Sequence, residues 1–107
     1  MSNVKGGLGG IVKQAQRMQQ QIARVQEAMS GREVEATAGG GAVTAVVNGE
    51  LRLVRLSINP EVVSSGDAEL IQELVSTAVN LAIENAREMV QTEVNKITGG
   101  LNIPGLL

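Results

Sequence analysis

Nowhere in these 107 residues is there a cysteine, a histidine or an aromatic side chain. Each absence removes a class of function. Without cysteine there is no disulfide framework and no thiolate metal site. Without histidine there is no imidazole ligand and no general base tuned near neutral pH. Without Phe, Tyr or Trp there is no platform on which unpaired bases could stack. A core must therefore be built from Leu, Ile, Val, Ala and Met. Long apolar runs are missing too, and none approaches the ~18 residues of a membrane span. Residues 1–10 are short and glycine-rich, with no apolar stretch of signal-peptide length. The expectation is a single cytoplasmic domain with no membrane association.

Charge is scarce overall but unevenly placed. The formal net charge is −2. Residues 1–32 carry Lys5, Lys13, Arg17, Arg24 and Arg32 against Glu27 alone. Residues 33–107 carry Arg52, Arg55, Arg87 and Lys96 against ten acids. A basic arm on an acidic body is the simplest description, and the net charge is a poor guide to what the arm can touch.

The arm is a helix over residues 8–29. Leu8, Ile11, Ala15, Met18, Ile22, Val25 and Met29 keep an a/d rhythm, the seam of a helix lying along another helix. Glycines at 6, 7, 9 and 10 weaken its start, so residues 1–10 are expected to be flexible and the helix firm over 11–30. Gly31 is placed to close it. A small antiparallel sheet over residues 33–58 follows. Val34 and Ala36 share one face of its first strand, Gly39, Gly40 and Gly41 form a turn, and residues 42–47 are β-rich. Asn48-Gly49 reads as a two-residue hairpin. In residues 51–58 the apolar alternation changes parity between Leu53 and Leu56, which a bulge near Leu53-Val54 reconciles. Asn59-Pro60 ends the strand.

A second long helix is expected over residues 67–98. Asp67 is its N-cap, Glu69 suits its first turn, and Gly99-Gly100 stops it. A helix of that length runs ~46 Å, whereas a compact domain of this size has a radius of gyration of only ~13 Å. The helix must overhang, and the first helix is the element long enough to cover the overhang. From Leu70 to Ile83 its apolar arc is wide, which implies cover on two sides. Leu74, Val75, Ala78, Val79, Leu81 and Ala82 are accordingly expected at a homodimer contact. The apolar tail, residues 99–107, is broken by Pro104 and Gly105.

Chemistry is sparse. Glu69/Glu73 and Glu84/Glu88 are acidic pairs at helical spacing, which could hold a hard cation but equally form a solvated face. Ser64-Ser65 has no base to activate it. No metal, cofactor, small-molecule substrate or enzymatic activity is expected. What remains is the outer face of the first helix. Lys13, Arg17, Gln20 and Arg24 lie on it with Gln16 nearby, and the basic residues span ~16 Å of helix. Such a face can bind phosphates, with glutamine suited to base edges, or can simply keep an exposed helix soluble.

The run Lys13-Gln14-Ala15-Gln16-Arg17-Met18-Gln19-Gln20-Gln21-Ile22 resembles the opening signature of the YbaB/EbfC nucleoid-associated proteins. The resemblance continues through Asn48-Gly49-Glu50, Ile58-Asn59-Pro60-Glu61 and the tail Gly99-Gly100-Leu101-Asn102-Ile103-Pro104-Gly105-Leu106. It covers roughly residues 8–107. It implies an α+β fold in the order α-β-β-β-α, a three-stranded antiparallel meander between two long helices that form a protruding arm. It also implies a homodimer that binds double-stranded DNA in the bacterial cytoplasm, associated with the nucleoid. The residues expected at DNA are then Lys13, Arg17, Gln20, Arg24 and Gln16, with Arg32 and Lys96 in weaker roles. Low sequence specificity is expected. The alternative is a protein–protein interaction or adapter protein of the same fold with little DNA binding.

Overall fold

The computed structural model describes residues 2–99, with side chains from residue 8 onward. Of the tail expected to be apolar, residues 100–107 lie outside the described residues. Six elements follow in order: α1 (Ser2–Ser30), β1 (Glu33–Ala38), β2 (Val43–Asn48), β3 (Leu53–Ile58), α2 (Pro60–Ser64) and α3 (Ala68–Thr98). The three strands form one antiparallel sheet in the order β1-β2-β3. The expected meander between two long helices is therefore present, with α2 a single extra turn.

The start of α1 differs from expectation. Its helix begins at Ser2 and passes through the glycine cluster. Each glycine costs ~1 kcal/mol relative to alanine, but a helix already nucleated downstream gains one hydrogen bond for each residue added. Its end differs as well, because Gly31 does not take a left-handed conformation. Instead the Ser30 hydroxyl donates to the Glu27 carbonyl at 2.6 Å and the Arg32 N–H donates to the Met29 carbonyl at 3.0 Å.

The β1–β2 turn uses left-handed backbone at Gly39, Gly40 and Gly41, with φ of 64°, 67° and 96°. The β2–β3 connection is longer than the expected two residues. The Leu51 N–H donates to the Asn48 carbonyl at 2.9 Å, and the Asn48 N–H donates to the Arg52 carbonyl at 3.0 Å. The loop is thus Gly49-Glu50-Leu51, and Leu51 holds its left-handed position at φ 64°. The Asn48 side chain explains why the loop closes there: its Oδ1 accepts from the Glu50 and Arg52 N–H groups at 2.9 and 3.2 Å. Beyond the loop, Val47 pairs with Leu53 and Val46 with Arg55, so Val54 is the extra residue of a bulge. The bulge puts Leu53, Leu56 and Ile58 on the same face as Val43, Ala45 and Val47.

The two helix starts follow their caps. Asn59 Oδ1 accepts the Glu61 N–H at 2.9 Å with Pro60 in the first turn. Asp67 Oδ1 accepts the Leu70 N–H at 3.1 Å, and Gly99 closes α3 in the left-handed region.

There are two apolar clusters. In the body, Ala36, Ala38, Val43, Ala45 and Val47 of the sheet meet Ala78, Ala82 and Ala86 of α3. In the arm, Ile22 of α1 meets Val90 and Val94 of α3, with Met18, Val25, Met29, Met89 and Ile97 around them. With no aromatic residue to separate the layers, alanine faces alanine and the helix lies close on the sheet. The molecule is correspondingly thin and long, 76 × 21 × 17 Å with a radius of gyration of 20.4 Å.

Candidate nucleic-acid interface

The arm is the part of the molecule that can reach a polyanion. Its position follows from one stripe on α1. Ile22, with Met18, Val25 and Met29, faces α3, so residues about half a turn away face solvent. Lys13, Gln16, Arg17, Gln20 and Arg24 are all exposed there. Among the described residues the ion pairs are Arg55–Glu33 at 3.1 Å and Lys96–Glu93 at 2.9 Å. Neither involves Lys13, Arg17 or Arg24, so no described carboxylate competes for their charge.

The other two candidates are placed differently. Lys96, in the last turn of α3, is tethered to Glu93. It nevertheless lines one groove with Gln21, Arg24, Val25 and Ile97, so the fold brings Lys96 and Arg24 together across the helix pair. Arg32 lies at the far end of α1, beside the sheet, with its guanidinium against the Met29 sulfur at 3.7 Å. It is not part of the same stripe. Gln21, which shares the groove, was not singled out from the sequence; its place three residues before Arg24 on the same helix is the signal that points to it.

Arg87 was not singled out either. It lines a cleft at the base of the arm with Gln26, Glu50 and Leu51. No group of three or more metal-ligating side chains occurs among the described residues. None of the described helices is long and apolar enough to cross a membrane.

The residues expected at a subunit contact are divided by the fold. Ala78 and Ala82 have no exposed surface left, since they are spent on the chain's own sheet. Leu74, Val75 and Val79 pack around the same cluster, while Leu81 is 41% exposed. The wide apolar arc reflects the sheet on one side, and among the described residues the edge bearing Leu70 and Leu81 remains open. A second open apolar surface was not expected. α3 lies over β1 and β2, which leaves Leu53 and Leu56 on the helix-side face of β3 at 46% and 39% exposure.

Residues 5–101 match the model of the YbaB/EbfC DNA-binding family. The chain belongs to that family. A nucleoid-associated protein of Thermoanaerobacter pseudethanolicus is 53% identical, over 95% of this chain and 97% of its own length. One from Acetivibrio thermocellus is 51% identical, over 94% of this chain and 90% of its own. The crystal structure of an uncharacterized protein from Helicobacter pylori shares the fold, with a TM-score of 0.63 at 23% identity over 73% of this chain and 90% of that one. Membership in the YbaB/EbfC family makes the chain a DNA-binding, nucleoid-associated protein of the cytoplasm and not an enzyme.

Proposed function

We propose that this YbaB/EbfC protein binds double-stranded DNA as a homodimer, through phosphate contacts from the outer face of α1 and with little sequence selectivity. The observation that carries this is the exposed, unpaired row Lys13, Arg17 and Arg24 on the projecting part of the molecule. Phosphate contacts position a protein on the duplex without reading its sequence. Gln16 and Gln20 supply neutral hydrogen bonds beside them. Lys96 and Gln21 extend the row into the groove at Arg24, and Arg32 adds charge at the sheet end. Dimerisation doubles the three basic residues, so about four to six phosphates can be neutralised and the log–log salt slope should be roughly −4 to −5.

The dimer contact is assigned to the open apolar surface of the body, Leu53 and Leu56 of β3, with Leu81 of α3 as a second candidate. Leu74, Val75 and Val79 pack around the core cluster between α3 and the sheet.

The test is fluorescence anisotropy on a short duplex at low and physiological salt. The wild type is compared with a Lys13→Glu/Arg17→Glu/Arg24→Glu variant that remains folded by circular dichroism. A steep slope for the wild type and its loss in the variant support the phosphate mechanism. A flat salt dependence overturns it. The adapter reading is favoured by the Lys96–Glu93 pair, which reduces the positive charge available on α3. It would be supported if the wild type fails to bind at low salt.

A further inference from the structure

The tip of α1 has two unlike sides. Val90 and Val94 pack with Ile22, Gln26 shares a cleft with Val90 and Gln91, and Gln21 shares a groove with Lys96 and Ile97. Rising numbers on α3 thus meet falling numbers on α1, so the two helices run antiparallel. Their pairing ends with α3 at Thr98, roughly level with Met18 to Gln21. Nearer the N-terminus, Leu8, Ile11 and Val12 are 62%, 66% and 53% exposed, and Ala15 is exposed as well. Among the described residues, neither apolar cluster includes them. At 3.6 residues per turn these four side chains share one stripe, and Lys13, Arg17 and Arg24 fall on a second stripe roughly 170° away. The apolar stripe and the basic row stand back to back.

We propose that this apolar stripe pairs with the same stripe of a second copy, and that the pair joins two DNA duplexes. The inference rests on the phosphate contacts proposed above for Lys13, Arg17 and Arg24. With those side chains on one duplex, Leu8, Ile11, Val12 and Ala15 point away from it. Two arms joined stripe to stripe carry their basic rows on opposite outer sides, each free to hold a duplex of its own. The added activity is bridging, which binding to a single duplex does not require.

Three features make a second copy the occupant. The first is self-complementarity, which a two-fold contact demands of its surface. With two tips antiparallel about the point between residues 11 and 12, each Leu8 stands opposite an Ala15 and each Ile11 opposite a Val12. Larger side chains meet smaller ones, and apolar burial drives the pairing. The second is charge. Residues 8–26 carry Lys13, Arg17 and Arg24 and no acid. Pairing keeps these three outward, so no like charges meet in the contact, and duplex phosphates neutralise the longer-range repulsion between arms. The third is area. Four side chains cover only a few hundred Å² per copy, whereas a stable interface needs roughly 800 Å² per partner. So small a contact suits an occupant already held nearby, as a second copy on DNA is, because the duplex raises its local concentration.

The test presents the full chain with a biotinylated duplex on streptavidin beads and a second, fluorescent duplex in solution. Anisotropy follows binding to a single duplex in parallel. The wild type is expected to hold the fluorescent duplex on the beads. Ile11→Gln/Val12→Gln alters no proposed phosphate contact, so its single-duplex affinity should stay within about twofold of wild type. It should nevertheless capture at least about fivefold less of the second duplex. A wild type that binds one duplex without capturing another overturns the proposal. So does a variant that captures as well as wild type, which would assign bridging to the contact between bodies. A wild type that binds no duplex at all removes the phosphate-contact reading and this inference with it.

Cross-linking reads the contact itself, because the chain has no native cysteine. Ile11→Cys lies in the stripe, and Gln14→Cys, also exposed, lies roughly 110° off it. With duplex present, mild oxidation is expected to link two copies through position 11 at least about fivefold faster than through position 14. Equal rates at the two positions overturn the proposal.

Discussion

Two glycines show how different physical demands select the same residue. Gly49 does not need a left-handed backbone. A Cβ there would overlap the Met29 carbonyl, because the β2–β3 loop presses against the end of α1, where the Gly49 N–H donates to the Arg32 carbonyl at 3.0 Å. Gly40 has open space around it but sits at φ 67°. Gly49→Ala must displace backbone, which should cost about 1–3 kcal/mol. Gly40→Ala meets only the left-handed penalty of about 1–2 kcal/mol, which Gly40→Asn should largely avoid. Denaturant midpoints of the three variants check this. The ranking fails if Gly49→Ala is as stable as wild type. Leu51 is the converse case, a bulky residue at φ 64°. Nothing in its side chain announces that conformation; the Asn48 cap and the loop length impose it.

Among the elements, α3 makes the strongest demand on residue size. Ala78, Ala82 and Ala86 recur every four residues, are fully buried, and face Ala36, Ala38 and Ala45 across the helix–sheet interface. Ala82→Leu should therefore destabilise the fold by about 1–3 kcal/mol or more, since overpacking pushes the layers apart. Leu81→Ala, one residue away on the open side, should change stability far less. Thermal melts of the two variants separate the faces, and equal losses would refute the assignment. The sequence had marked both residues for a subunit contact. A wide apolar arc reports that two sides are covered but not which side takes the sheet, and here residue size was the missing clue.

Other parts of the fold were legible because their signals are local. Asp67 and Gly99 mark the ends of α3 through caps that a few residues determine. The bulge at Val54 was legible because a parity change has few other solutions. The a/d rhythm of α1 told of a partner helix along the whole seam, yet α3 reaches only its lower half. Periodicity records that a face is apolar and says nothing of how far the partner extends. The basic row on α1 was legible for the same geometric reason as the seam, whereas the meeting of Arg24 with Lys96 depends on the register between two helices and is not written in either one.

At the scale of the whole molecule, the arm and the body have opposite characters. The body keeps most of the acids and the arm projects the basic row, in a particle 76 Å long. One arm offers three unpaired basic side chains, few for a duplex under physiological salt, so the proposed function leans on a second copy. The body has the surface for it. Among the described residues both edges of the sheet are free, but they are unlike. β1 presents Glu33 and Glu35, with Glu33 engaged by Arg55 across the outer face of β2, where Val46 is buried. Charged edges of that kind resist strand addition. β3 instead leaves Leu53 and Leu56 open on the helix side and Val54 at 41% exposure. An apolar edge strand left exposed in a single chain marks an interface. Leu53→Asp/Leu56→Asp should convert the protein to a monomer by sedimentation equilibrium while leaving its helical circular dichroism intact. The same variant should bind duplex at least about tenfold more weakly, because the second arm no longer adds to the first. If it stays dimeric while Leu81→Asp dissociates, the contact lies on the outer face of α3. If both variants stay dimeric, the body does not hold the copies together, and the contact must be sought along the arm.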